Sequence, residues 1–592
     1  MFVLLMMALS RKRYRREEVV EMLENGDFSS EDESNYSDDS GSDTELYDYS
    51  SASDTDDLDG VASDDDDDAT AAASADSSAD GWQLKPNYSK TPLLPFTVTN
   101  VGPQHPDTVD TELDYFKLFF TDSLVADIAA ETNRYAKSKL ENATLRPNSI
   151  WHTWKDVTAE ELQAYLGVVL NMALNDKCDV KHYFSHDWLD YMPFFSSVFS
   201  RKRFLQLHWM LHVSQPSSDQ TQNVNRRGAK IEHVVLHMKQ KVLENFVPSR
   251  DVAIDESTVG FKGRICFRMY NPQKPTKWGL RVYVLADSAT GYICCFEPYY
   301  GKCTTDSLAR PDMPFTSRIV LHLCDELLHV AQGSGYHVFT DRFYTGFPLA
   351  LELLKMNVYL TGTVMKNRQN LPTDVKKLKL KKHEVSSFVH SDDVLVLAWQ
   401  DKRQVLMLST YHDASTQTVQ QRTKSGPQDI QKPTVIVNYT KKMGAVDRAD
   451  HYCASYGFMR KSLKWWRKMF FWLLEVAVVN SYILFKHNDG NKTVRHLKYR
   501  QKLIRQLVGA QRHVSQRPGR RSSLDEEDRL SKKPHFIAQL PSNSAKDCAV
   551  CSDRKTRGMR RKTVYYCKTC SRKPGLHPGL CFEHYHTKAQ YR

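Results

Sequence analysis

The sequence predicts an α/β protein built on a mixed sheet with helices on its faces. Three observations carry that expectation. From Asp251 to Val364, short apolar strand-like runs alternate with runs of helical period, in the order three strands, helix, strand, helix, strand. Residues 112–250 show helical spacing instead, and residues 547–592 carry cysteine pairs at metal-ligand spacing. The strand and helix order is that of an RNase H-like fold.

With 592 residues the chain has room for several domains. It opens on MFVLLMMALS followed by RKRYRR, and a secretory signal has its charges before the apolar stretch. Without secretion the twelve cysteines are expected to be reduced, so paired cysteines point to metal rather than disulfides. No run of 18 apolar residues is uninterrupted, and no membrane partner is expected. The best span candidate, Met469 to Phe485, is broken by Glu475, Asn480 and Ser481 and reads as a buried helix.

Charge divides the chain. Residues 1–82 hold five Lys/Arg and 24 Asp/Glu, a net of −19, which leaves +29 on the remainder. A body that basic calls for a polyanionic partner, most directly nucleic acid. The acidic, Ser-rich start cannot bury enough apolar surface to offset a backbone ordering cost of roughly 1–2 kcal/mol per residue, so residues 1–110 are expected to be disordered arm and linker.

A helical region, 111–250, follows, the first part of an expected dimerisation and DNA-binding domain whose second part is 457–510, with Thr121 as an N-cap before Leu124, Val125 and Ile128. Further helices are expected over Asp156 to Met172 and Arg201 to His212. The sheet region, 251–373, has a strand ending at Ile254, then strands Leu280 to Ala286 and Gly291 to Phe296 joined by a hairpin. A helix over Ser317 to Val330 precedes a strand, Tyr336 to Thr340, that stops at Asp341. A helix from Gly346 to Met356 and a strand from Val358 to Val364 close the pattern. Residues 374–428 read as a β-rich insertion, with strands Val394 to Trp399 and Gln404 to Ser409. Residues 429–456 return to the sheet through a strand, Val435 to Asn438. Residues 457–510 are helical again, 511–546 a basic linker and 547–592 a zinc domain.

Asp255 and Asp341 each fall at the expected end of a strand. On neighbouring strands those ends put two carboxylates side by side, and Asp447 with Asp450 supply a third acid from a segment leading into helix. Converging carboxylates repel unless cations lie between them. Hard oxygen ligands suit Mg²⁺ or Mn²⁺, and two such ions activate the attacking oxygen and stabilise the leaving one in phosphoryl transfer. Glu256 alternates to the opposite face and reads as structural.

Lys262, Arg264, Arg268, Lys274, Lys277 and Arg281 follow the first of these strands and are candidates for DNA phosphate contacts. Arg460, Lys461, Lys464 and Trp465 are further candidates, since an indole among cations can stack on an unpaired base; Trp466 and Trp472 read as core. In the tail, Cys548, Cys551, Cys567 and Cys570 could close one zinc site. A cross-brace would use Cys548, Cys551, Cys581 and His586 for one Zn²⁺ and Cys567 and Cys570 with His577 or His584 for another.

From about Thr111 onward the chain resembles the piggyBac family of transposases. The resemblance rests on YFKLFFTD (Tyr115 to Asp122), IDES (Ile254 to Ser257), FKGR (Phe261 to Arg264), FRMY (Phe267 to Tyr270), NPQKP (Asn271 to Pro275), GAVDRAD (Gly444 to Asp450) and the cysteine-rich tail. It implies an RNase H-like domain with Asp255, Asp341 and Asp447 as catalytic aspartates and Asp450 as a supporting acid. It also implies Trp465 beside the cleaved DNA end, a tail that binds the transposon ends, a homodimer and a nuclear location. The implied activity is excision of a DNA element through a hairpin intermediate and integration at TTAA. The competing readings are a host-domesticated DNA-binding protein that kept its carboxylates, and a chromatin-interaction protein whose tail reads protein.

Overall fold

A computed structural model describes residues 81–592, except 91–92, 142, 214–226, 273, 275, 332, 424–425, 459, 512–528, 531–533, 542–543, 554–555, 557, 589–590 and 592. Most of the expected acidic arm therefore lies outside the described residues. The chain forms two compact units that divide between 512 and 513.

The first unit is organised by one large sheet. Its strands are β1 (Trp82–Leu84), β2 (Asp251–Gly260), β3 (Met269–Tyr270), β4 (Trp278–Asp287), β5 (Ile293–Pro298), β6 (His337–Thr340), β7 (Tyr359–Thr363), β8 (Val385–His390), β9 (Leu395–Gln400) and β10 (Gln404–Ser409). Their order across the sheet is β1-β8-β9-β10-β7-β6-β2-β4-β3, with β5 also on β4. β2, β6 and β7 run parallel, while β4 and β5 are antiparallel additions. That centre is the RNase H-like arrangement the element order implied.

The insertion does not stand apart. β8, β9 and β10 continue the sheet beyond β7, with Ser409 opposite Thr361, so one apolar layer serves both parts. β1 then pairs with β8 and supplies the edge strand, although the sequence reads there as linker. Two further differences concern element type and length. Residues Val435 to Asn438 belong to a helix, Thr434–Lys442, rather than a strand. Their β-branched run suggested a strand, but Pro433 stands at the N-cap of a helix in which Val435, Ile436 and Val437 are all buried, so packing overrides the β preference. β2 also does not stop at Ile254. β4 pairs with it along its length, so it continues to Gly260.

Helix α1 (Phe315–Ala331) packs on β4 and β5, α2 (Phe347–Lys355) on β7, and α3 (Ala445–Ser455) on β2 and β4. Before the sheet, Thr121 caps the helix Asp122–Leu140 by accepting from the Leu124 N–H, as its sequence position implied. That helix packs on Ala159–Leu174, which also receives the helix His496–Val508 from the far end of the unit.

The helix α4 (Trp465–His487) is long and apolar enough to cross a bilayer, yet 94% of its apolar window is buried inside the protein. Its Glu475 takes both oxygens to the fully buried Arg500, at 2.6 and 2.7 Å. A two-point, charge-assisted pair of this kind fixes the two helices in one register.

Candidate active site

Strand register brings the first two acids together. β2 and β6 are paired in parallel through Ile254 and Thr340, so the next residue on each is an aspartate, Asp255 and Asp341. β6 ends there: Asp341 turns and its Oδ1 accepts from the Phe343 N–H at 2.8 Å. Asp255 Oδ1 accepts from the Glu256 N–H, also at 2.8 Å. Asp447 stands in the first turn of α3, against β2 and β4. Asp255, Asp341 and Asp447 line one cavity of about 370 Å³.

The electrostatics of the cavity favour an incoming cation. Burial, then the charge of Glu256, pushes the Asp255 carboxyl up to about 9. The same two causes raise Asp341. Asp450, one turn beyond Asp447, receives the Ser257 hydroxyl at 2.6 Å, and burial raises it to about 6. Acids that resist ionisation where they converge are stabilised as carboxylates by a positive ion. An oxygen-only donor set of this kind fits a hard divalent cation.

The cavity holds more than the sequence singled out. Glu256 lines it as well, although strand alternation had assigned that side chain to the opposite face. The reason lies in the pairing: β6 leaves β2 after Ile254, and both sides of the freed flank reach the cavity. Asn271, Arg342 and Phe343 are further lining residues that pattern reasoning missed. Arg342 had one available signal, its place directly after Asp341.

The basic candidates separate by position. Lys274, Lys277 and Arg281 line the cavity, and Lys274 Nζ donates to the Glu256 carbonyl at 3.0 Å. Lys262 and Arg264 are exposed and outside that lining. Arg268 is used internally: its guanidinium lies 4.1 Å over Trp278 and donates to the carbonyls of Lys262 and Gly263.

Arg460 is committed too, donating to the Lys177 carbonyl at 2.6 Å and the Tyr183 hydroxyl at 2.8 Å. Lys461 is exposed and Lys464 half-buried. Trp465 is half-buried, edge-on to Phe267 at 5.2 Å and Tyr300 at 5.8 Å. Trp466 and Trp472 are core residues, as their pattern implied.

The second unit gathers two sets of four ligands. One is Cys548, Cys551, His577 and Cys581; the other is His535, Cys567, Cys570 and His586. Within each set the donor atoms lie within 4.8 Å of one another. The arrangement interleaves in sequence like a cross-brace, but with a partition the sequence did not offer. His577 joins the first set, His586 the second, and His584 neither. His535 was missed because it stands in the stretch read as linker. The strand Ile537–Gln539 pairs with Tyr565–Cys567 and carries His535 to the second pair of cysteines.

Chemistry at both sets suits a metal. Burial opposes ionisation of Cys548, but the backbone N–H groups of Cys551, Val550 and His577 prevail and hold its thiol at about 6. Cys581 is pushed up to about 12 by burial and by Cys551. A thiolate cradled by amides beside thiols that resist ionising is an incomplete charge set, which a soft cation completes. His586 Nδ1 meets the Phe582 carbonyl at 2.7 Å, and His577 Nε2 meets that of Lys562 at 3.1 Å. Each leaves its other ring nitrogen for the cluster.

Comparison with known proteins agrees with this architecture. A family model described as Transposase IS4 matches residues 111–482, which span every strand of the large sheet except β1, the helices packed on it and the acid cavity. Fold and cavity together thus define a protein of the transposase class. The chain belongs, within that class, to the piggyBac-type transposase family. It is 24% identical over 491 residues to human PiggyBac transposable element-derived protein 3, covering 81% of this chain and 76% of that one. Human PiggyBac transposable element-derived protein 5 is 23% identical over 424 residues, 67% of this chain and 75% of the relative. Among solved structures, a piggyBac transposase synaptic complex with hairpin DNA aligns with a TM-score of 0.62 and 25% identity, over 72% of this chain and 86% of that one.

Proposed function

We propose that this chain is a cut-and-paste DNA transposase that excises an element through a hairpin intermediate and joins it to TTAA target sites. The observation that carries the reading is the register of β2 and β6, which sets Asp255 beside Asp341 in a cavity that Asp447 completes. These three aspartates would hold Mg²⁺ or Mn²⁺, which supplies activation of the attacking oxygen and charge neutralisation at the leaving one. Asp450, anchored by the Ser257 hydroxyl, supports the Asp447 turn. Lys274, Lys277, Arg281 and Arg342 bring positive charge to the phosphates flanking the scissile bond.

In this scheme water opens one strand and frees a 3′-hydroxyl, which attacks the opposite strand and closes a hairpin on the element end. After the hairpin is reopened, the same hydroxyls attack the target. Each step is an in-line displacement at phosphorus, so one carboxylate site serves all of them. The second unit binds Zn²⁺ at both ligand sets and recognises the element ends. We place the protein in the nucleus, acting as a homodimer.

A host-domesticated DNA-binding protein is the second reading, and the names of the human relatives, transposable element-derived proteins, favour it. Cleavage of a duplex bearing the ends of the genomic element that encodes the chain separates the two. The parental protein with Mg²⁺ is expected to nick the end, and Asp341→Ala to lose nicking by at least a thousandfold while still binding the duplex. Cleavage by Asp341→Ala at near the parental rate would refute the site. Absence of parental cleavage on the correct ends would favour the domesticated reading.

A further inference from the structure

A second cavity, of about 290 Å³, lies in the helical part of the first unit. Arg134, Tyr135, Ser138, Lys139 and His212 line it. The Tyr135 and His212 rings stack at 4.3 Å and 4°. Lys139 and Lys464 place their ammonium groups 5.8 and 5.7 Å from the Tyr135 ring centre, from two different helices. None of the lining residues belongs to the carboxylate cavity.

Three features make this more than a solvated basic face. First, Lys139 and Lys464 have no carboxylate within ion-pair distance among the described residues; the acid beside the cup, Glu131, is engaged by Arg134. Second, Lys464 is half-buried, and burial together with the charges of Arg467, Lys139 and Lys230 holds its ammonium down at about 8. Third, Lys464 is the N-cap residue of the 23-residue helix α4, and no side chain caps that end. The first N–H groups of a helix are unpaired donors at its positive end. Trp466, in that first turn, is edge-on to His212 at 5.6 Å, so the helix end opens beside the cup. A half-buried cation, the exposed cation beside it and a helix N-terminus raise one another's cost until an anion joins them.

The geometry points to a phosphodiester-binding site in this cup, gripped by Lys139 and Lys464 and separate from the carboxylate cavity. It rests on the reading that the chain handles DNA and adds a second place where the DNA backbone is held. The stacked rings form a wall and leave the binding to the cations. A phosphate contact of this type fixes the path of the DNA without reading its sequence.

The test uses the full chain and a fluorescent 30-base-pair duplex of arbitrary sequence, titrated at several salt concentrations. Lys139→Glu changes an exposed helix position, and Lys464→Met keeps the side-chain length while removing a half-buried charge. Each variant is expected to weaken binding about five- to tenfold at 0.1 M salt and to lower the salt slope by about one. Lys464→Met is expected to melt no lower than the parent, because it removes a charge that folding had to bury. In parallel, the duplex should slow acetylation of Lys139. Parental binding with unchanged affinity and slope in both variants would overturn the cup alone. Failure of the parental chain to bind any duplex would overturn the cup and the DNA reading together. Lys139 already protected in the free chain would place one of its own acidic segments there instead, and would also overturn the inference.

Discussion

Asp255 shows how burial of a single side chain couples folding to protonation. Its carboxyl is raised from 3.8 to about 9, and that of Asp450 to about 6, in each case first by burial. A folded state that holds protons more tightly than the unfolded state is favoured at low pH. The stability due to Asp450 is therefore lost as pH rises from about 4 through 6, and that due to Asp255 continues to be lost up to about 9. In buffer without added divalent ions, the melting temperature should fall between pH 5 and 9, and Asp255→Asn should flatten that fall. Millimolar Mg²⁺ at pH 8 should raise the parental melting temperature by several degrees and that of Asp255→Asn by much less. Equal Mg²⁺ shifts in the two proteins would argue against Asp255 as a ligand. The position of Asp255 was legible because an acid at the end of an apolar run is conspicuous. Glu256 was not, because its access to the cavity depends on where the neighbouring strand departs, and pairing partners cannot be seen in one strand's sequence.

At the scale of elements, legibility followed the range of the interactions. The helices Phe315–Ala331 and Phe347–Lys355 and the strands between Trp278 and Thr363 follow local periodicity and fall within a few residues of their expected ends. The segment after Pro433 was misread because burial on the sheet overruled a β-branched run. His535 escaped notice for a related reason: it is carried into a Cys/His cluster by a three-residue strand whose partner lies near Cys567, about thirty residues on. This partition has a direct consequence. His535→Ala removes one ligand from one set only, so elemental analysis should show a fall from two zinc ions per chain to one, with Cys548, Cys551, His577 and Cys581 still loaded. His584→Ala should keep both. Loss of zinc in His584→Ala, with two ions retained in His535→Ala, would favour the cross-brace in which His584 joins Cys567 and Cys570.

Over the whole molecule the dominant fact is the separation of charge, −19 on residues 1–82 against +29 on the rest. The junction between the two is structurally defined. β1 pairs with β8 at the edge of the large sheet, Trp82 packs 5.3 Å from Phe347, and its indole N–H donates to the Asn370 carbonyl. Lys90 pairs with Asp393 at 2.6 Å, fastening the segment further along. An acidic tail rooted on a basic body competes with DNA for the same cations, and the competition weakens as salt screens it over a Debye length of about 8 Å at physiological ionic strength. The informative truncation removes residues 1–80. A cut beyond Trp82 would strip the edge strand and expose β8, confounding charge with stability. The truncated chain should bind non-specific duplex about tenfold more tightly at 50 mM salt, and the two proteins should converge near 0.5 M. The melting temperature should be unchanged, since β1 and its contacts remain. A constant affinity ratio at all salt concentrations would mean that the arm acts by blocking the surface rather than by charge. No difference at low salt would leave it without a part in DNA binding.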